Sequence, residues 1–257
     1  MQEVGIRINK YLSEAGVCSR READRQLEAG NVMIDGHRAQ PGDRVQPGQK
    51  VVFCGREVEK EEEMILLAVN KPVGIVCTAE KREKHNIVDF INYPKRIYPV
   101  GRLDKDSEGL ILMTNNGDIV NKMMRAGNMH EKEYIVRVNR EVTDSFLHGM
   151  ANGVPLKELQ ATTRKCRVEK LGKHKFKIVL TQGLNRQIRR MCEYFGYRVL
   201  ELKRVRIMNI QLGSLETGKY RKITPEEWQT LNKLIKDSSN ETVVFEKERT
   251  GGGSHGR

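Results

Sequence analysis

The chain has 257 residues, of which 38% are hydrophobic and 31% charged, with a formal net charge of +12; that length holds one large domain and a small one. No stretch approaches the roughly 18 apolar residues of a spanning helix, and the start, Met-Gln-Glu-Val-Gly, lacks the basic and apolar regions of a secretory leader. Cys18, Cys54, Cys77, Cys166 and Cys192 are scattered and form no C-x-x-C pair, which argues against a disulfide framework and a zinc ribbon. A cytoplasmic protein without membrane association is expected.

In chain order, residues 1–63 read as a small unit with its linker. Ile8, Tyr11, Leu12 and Ala15 recur at helical spacing, and Gly16 stands where a helix ends. Ser19 is placed to cap a second helix over about 20–29, with Glu22 three residues on in a capping-box arrangement, and Gly30 stops it. Val32-Met33-Ile34 leads into an Asp35-Gly36 hairpin turn, and Val51-Val52-Phe53 closes the unit. The pattern R-x-N-K-Y-L-x-x-x-G-x-x-S-R-R-E-A, carried by Arg7, Lys10, Ser19, Arg20 and Arg21 together with Gly30, Val32 and Gly36, resembles the S4 RNA-binding domain. That resemblance implies that Lys10, Arg20, Arg21 and Arg25 face RNA phosphates.

A charged linker at 57–63 precedes a second unit, residues 64–236, in which strand-like and helix-like segments mix without regular alternation. Strands are expected at 66–69, 134–138, 175–181 and 205–212, and helices at 118–124, 143–150, 185–195 and 225–234, the last opened by Pro225 after Thr224. This mixture indicates an α+β fold. Residues 237–257, ending in a Gly-rich run, read as a flexible tail. The positive charge is concentrated: residues 161–222 hold 17 Lys/Arg against 4 Asp/Glu, leaving the rest of the chain near neutral. A polyanionic partner accounts for such concentration, as does a ribosomal-type basic surface with no chemistry.

The segment with most chemical content is Gly101-Arg102-Leu103-Asp104-Lys105-Asp106-Ser107-Glu108-Gly109, followed by the apolar run Leu110-Ile111-Leu112-Met113. It reads as a tight loop entering a buried strand, with the Asp104 carboxylate between Arg102 and Lys105, ionised and available as nucleophile or base. A polar turn of solvated charges reads equally well from these nine residues. Two further segments bear on the choice: Asn70-Lys71-Pro72-Val73-Gly74, an extended dipeptide entering a glycine turn, and Gly183-Leu184-Asn185-Arg186-Gln187-Ile188-Arg189-Arg190-Met191.

Taken in order, N-K-P-x-G, G-R-L-D-x-D-S-x-G-L and G-x-N-R-Q-I-R-R-M resemble the Rsu-type branch of the RNA pseudouridine synthases. With the S4-like unit, the likeness runs to about residue 235. It implies a catalytic domain built on a mixed, mainly antiparallel sheet. It also implies conversion of uridine to pseudouridine in structured RNA, by base flipping and without cofactor or metal, by a monomer. The substrate so implied is a 23S ribosomal RNA stem-loop, with a tRNA loop as a possible addition. Asp104 is the implied nucleophile, Arg189 its ionic partner, and Tyr134 the residue that stacks on the flipped uracil. Arg102 is implied to fill the space the uridine leaves, and Lys105, Arg186 and Arg190 to contact RNA. Leu184 departs from the basic residue that many relatives carry after the glycine, removing one phosphate contact. Asp106, the neighbouring carboxylate, is assigned to loop structure, and no histidine is given a ligand role. Two other classes stay open: an S4-type assembly protein with an inactive second half, and a retaining glycosidase, which would need a second carboxylate.

Overall fold

A computed structural model of the protein describes residues 5–59, 63–124 and 129–236; the 237–257 tail lies outside them. The first unit packs two helices, Ile8–Glu14 and Arg20–Glu28, on short strands, burying Ile8, Leu12, Ala23, Leu27, Val32 and Val51 in a core of its own. The Asp35-Gly36 turn has positive φ at both residues (49° and 80°) and joins Val32–Ile34 to His37–Arg38 in register Ile34 with His37. Left-handed conformations at both central positions are what a type I′ hairpin requires. The Ser19 hydroxyl accepts from the Glu22 N–H at 3.1 Å, but the Glu22 carboxylate turns to Gln26 and Arg25. The second half of the expected capping box is therefore absent here. A complete box forms at Thr224 and Glu227, at the start of the Pro225–Ile235 helix.

The second unit is built on a nine-stranded sheet. Its order runs Arg167–Gly172, Lys175–Leu180, Lys132–Val138, Val199–Ile207, Glu108–Thr114, Leu66–Lys71, Tyr220–Lys222, with Ile210–Gln211 and Tyr98–Val100 attached at the sides. Every pairing is antiparallel except that of Val199–Ile207 with Glu108–Thr114. The sheet is covered on both faces. Leu67, Val69, Ile111 and Met113 enter one core, with Ile87, Phe146 and Ile188. Leu66, Ala68, Leu110 and Leu112 enter the other, with Ile119 and Leu231. Two-sided burial explains why these strands read as unbroken apolar runs rather than alternating ones. The strand expected at 205–212 is in fact two: Val199–Ile207 turns at Met208, where φ is 51°, and Ile210–Gln211 pairs back on it.

Polar contacts join the units. Lys10 Nζ reaches both carboxylate oxygens of Asp118, at 3.0 and 2.9 Å, and Arg96 donates to the Ser13 carbonyl at 3.2 Å. Asp118 sits in the first turn of the Gly117–Met124 helix, where an anion is favoured, and Lys10 answers its charge. Among the described residues no helix is long and apolar enough to cross a membrane.

Candidate active site

The Asp104 loop is fixed from three sides. Ser107 N–H donates to the Asp104 carbonyl at 3.1 Å, closing a turn, so Asp104 and Asp106 are not on one side of an extended segment. From below, Gly74 N–H donates to the Lys105 carbonyl at 2.7 Å. The glycine turn that carries it is held by Lys71, whose fully buried ammonium donates to the Pro72 and Ile75 carbonyls, each at 2.8 Å. Burial lowers the Lys71 pKa, against the opposing fields of Asp106 and Asp104. The N-K-P-x-G segment is thus a clamp beside the site.

The third side is the Gln187–Tyr194 helix and its entry. Arg186 takes a left-handed conformation, φ 50°, and its guanidinium forks onto Asp106 with both bonds at 3.1 Å. Paired bonds of this kind fix orientation as well as charge. Arg189, only 7% exposed, donates to the Asp106 carbonyl at 2.8 Å and to Ser107 Oγ at 3.1 Å, and lies 3.3 Å from the Asp106 carboxylate. The expected Arg189–Asp104 pair is therefore corrected: the turn carries Asp106 down onto both arginines. Among the described residues the cation nearest Asp104 is Arg186, at 3.9 Å. Burial works against the Asp106 carboxylate, but the bonds and charge of Arg186 and Arg189 prevail and lower its pKa. A lowered carboxylate pKa gives stability that is present above the ordinary aspartate range and lost as pH falls through the folded value. The melting temperatures of wild type and Asp106→Asn should differ by a constant margin from about pH 5 to 8 and converge below about pH 4. A margin unchanged at acid pH would show that the anchoring does not depend on the charge.

Above the loop opens a cleft of about 730 Å³. It is lined by Arg102, Leu103 and Asp104 from the loop, by Leu184, Asn185 and Arg186 from the helix entry, and by Tyr134, Lys132 and Arg204 from the sheet. Asp104 keeps 34% of its side chain accessible there. Tyr134 stands at the core-facing side of the Lys132–Val138 strand, with the Arg204 guanidinium 5.9 Å from its ring centroid. The parallel joint of the sheet lies directly behind, where Arg204 is paired with Gly109. A Cβ built on Gly109 would meet the Arg204 carbonyl oxygen at 2.2 Å, and φ is +106°. No other residue allows the strand that follows the Asp104 loop to approach this closely.

Among the expected RNA contacts, Arg20, Arg21, Arg25, Arg102, Lys105 and Arg186 are exposed. Three of the expected contacts have carboxylate partners in the chain. Lys10 is tied to Asp118, Arg190 to Glu158 and to the Asn185 carbonyl, and the exposed Arg25 forms a surface pair with Glu22. Each has a carboxylate within reach in the folded chain, which sequence spacing alone did not reveal for Asp118 or Glu158. Two cleft residues were not singled out from sequence. Lys132 was available from its position two before Tyr134, since alternate strand residues share a face. Arg204 had no local signal: it meets Tyr134 only through the register between the two strands.

The segments Asn86-Ile87-Val88-Asp89-Phe90 and His130-Glu131-Lys132-Glu133-Tyr134 look most like large-subunit synthase F within the Rsu-type branch. Comparison with known proteins agrees. Residues 65–194 match the RNA pseudouridylate synthase family and residues 6–51 the S4 domain. The chain is 55% identical to the dual-specificity RNA pseudouridine synthase RluF of Salmonella typhi, across 94% of this chain and 83% of that protein. It is 34% identical to the ribosomal large subunit pseudouridine synthase B of Bacillus subtilis (strain 168), across 91% and 98%. A crystal structure of a pseudouridylate synthase superposes with a TM-score of 0.65 at 27% identity, covering 88% of this chain and 99% of that one. A family pattern over half the sequence, and this identity over nearly all of it, establish that the chain belongs to the RNA pseudouridylate synthase family and is an RNA pseudouridine synthase preceded by an S4 domain.

Proposed function

We propose that this enzyme isomerises a uridine in a large-subunit ribosomal RNA stem-loop, with a structured tRNA loop as an additional substrate, and that Asp104 is its nucleophile. The observation that carries the reading is the placement of an accessible carboxylate, Asp104, and an aromatic ring, Tyr134, around one cleft of nucleotide size. The reaction breaks the C1′–N1 bond and rejoins the uracil through C5. A carboxylate serves by attacking C1′ or by stabilising the cation that forms there. Arg186 stands 3.9 Å from the carboxylate, and the Asp106–Arg186–Arg189 cluster holds the loop in place. The cleft admits a base only once it has left its stack, so the target is flipped, with Arg102 at the rim to occupy the gap. Ribosomal RNA is favoured by the large-subunit designation of the B-type relative, and a second substrate by the dual specificity named for RluF.

The exposed pair Arg20 and Arg21 supplies the phosphate grip of the first unit. Arg20→Ala/Arg21→Ala should weaken RNA binding and reduce the slope of log K against log salt by about 0.7–0.9 for each phosphate no longer neutralised. An unchanged slope would remove that helix from the RNA interface. Comparing pseudouridine positions in total RNA from cells with and without the gene identifies the substrate: loss of sites in large-subunit rRNA is expected, and no lost site there would overturn it.

A further inference from the structure

The cleft holds positive charge that the residues at the sugar do not use. Lys132 lies at the inner end of the Lys132–Val138 strand, beside Leu180 in the next strand, and lines the cleft with Tyr134. Its ammonium makes one long contact among the described residues, 3.4 Å to the His130 carbonyl, near the limit of a hydrogen bond. Beside it Arg204, 3% exposed, spends Nε on the Leu110 carbonyl and Nη1 on the Arg102 carbonyl, while its Nη2 is buried without a partner among the described residues. Buried donors without acceptors are costly, and two cations facing one cavity raise that cost. An anion arriving in the cleft would meet the Lys132 ammonium, with the charge of the Arg204 guanidinium behind it.

We propose that Lys132, backed by Arg204, is a catalytic residue that stabilises the uracil anion released when the glycosidic bond breaks. The proposal rests on the assignment of Asp104 to the sugar. When C1′–N1 cleaves, the bonding pair stays with the base and spreads over N1, O2 and O4. After the base turns, C5 donates an electron pair to C1′ as the Asp104–C1′ bond breaks, or to the cation that Asp104 stabilises there, the C5 proton leaves, and N1 takes up a proton, so that the product is an isomer of the substrate. Negative charge on the base exists only between these events. A fixed cation at the ring therefore favours the transition state over the bound uridine, which is what accelerates a reaction. Desolvation, with the field of Arg204, pushes the Lys132 pKa down to about 8. The ammonium is thus available at neutral pH and lost in mild alkali. The other charged or titratable groups lining the cleft are Arg102, Asp104 and Arg186 in the two loops, Cys77, His130, Tyr134 and Arg204.

The test is single-turnover cleavage of the C1′–N1 bond in a stem-loop RNA carrying either uridine or 5-fluorouridine at the target, read as loss of the N-glycoside, because the fluorinated base has no C5 proton to lose and does not complete the isomerisation. Fluorine withdraws electrons and makes the base a better leaving group, so it should partly replace the lysine. Lys132→Met should slow conversion of uridine about 10²-fold, with RNA affinity within about twofold of wild type. On 5-fluorouridine the defect should shrink by about tenfold, and the fall in wild-type rate above about pH 8 should vanish in the variant. Lys132→Arg, which keeps the charge, should stay within about tenfold of wild type; impairment equal to Lys132→Met would mean a packing role. An equal Lys132→Met defect on both RNAs would also overturn the proposal, as would weaker binding with a reduced salt slope, which would make Lys132 a phosphate contact. Asp104→Asn, run on the same RNAs, separates the two assignments. Its activity would overturn the nucleophile, whereas a uniform Lys132→Met defect overturns only the role of the lysine.

Discussion

Asp104→Asn is expected to lower pseudouridine formation at least about 10³-fold while leaving RNA affinity within about twofold of wild type. The amide keeps the shape of the side chain, and the loop does not depend on it. The turn is closed by the Asp104 backbone carbonyl, and the arginine anchors fall on Asp106 and Ser107. What the substitution removes is the negative charge at the cleft wall. Asp106→Asn is the matching control. It disturbs Arg186 and Arg189 and so affects stability and loop position, yet it leaves the cleft carboxylate in place. Wild-type conversion by Asp104→Asn together with an inactive Asp106→Asn would transfer the nucleophile to the second aspartate. Conversion by both would leave neither carboxylate essential, and a protein without activity in any form would restore the reading of an assembly factor.

Gly109→Ala is expected to destabilise the protein by on the order of 4 kcal/mol, enough to leave little folded enzyme. Two costs combine. At φ +106° an L side chain is strained by about 1–3 kcal/mol. The added methyl would also stand 2.2 Å from the Arg204 carbonyl oxygen and 2.7 Å from its nitrogen, both backbone atoms of the neighbouring strand. Neither can yield without opening the parallel joint that carries the site. Gly55→Ala separates the terms, since Gly55 has φ +79° with nothing within 4 Å of the added carbon. It should lose only about 1–2 kcal/mol of conformational strain. Equal melting temperatures for the two variants would mean that the sheet adapts and the close approach is not required.

Much of the fold is legible wherever one residue decides a local outcome. Ser19, Thr143 and Thr224 cap helices through their own side chains, and the Asp35-Gly36 turn needs no tertiary help. The run Leu110–Met113 declares a strand buried on both faces. Legibility fails where a contact joins distant segments. Arg189 is brought to Asp106 by the Asp104–Ser107 turn and the left-handed Arg186, and spacing along the chain distinguishes neither aspartate as its partner. Lys10 meets Asp118 across 108 residues, so the first helix shows its positive charge in sequence but not the carboxylate that takes it. The same holds for the 205–212 segment, whose apolar residues serve two strands because Met208 turns the chain between them.

The clasp at the end of the linker sets how the two units act on one RNA. Asn115 accepts from the Ile65 N–H at 2.9 Å and donates to the Glu63 carbonyl at 2.9 Å, while Thr114 Oγ1 bonds the Ile65 carbonyl at 2.6 Å. Val58 belongs to the first core and Ile65 to the second, so the intervening chain spans no more than about 25 Å at about 3.6 Å per residue. Were Lys10 to release Asp118, the leading unit would still search a volume only tens of ångströms across. At that distance its local concentration around an RNA held by the larger unit is of millimolar order. A weak grip on phosphates, from few arginines, is then sufficient for tight bivalent capture, and lengthening the linker should loosen binding without altering either surface.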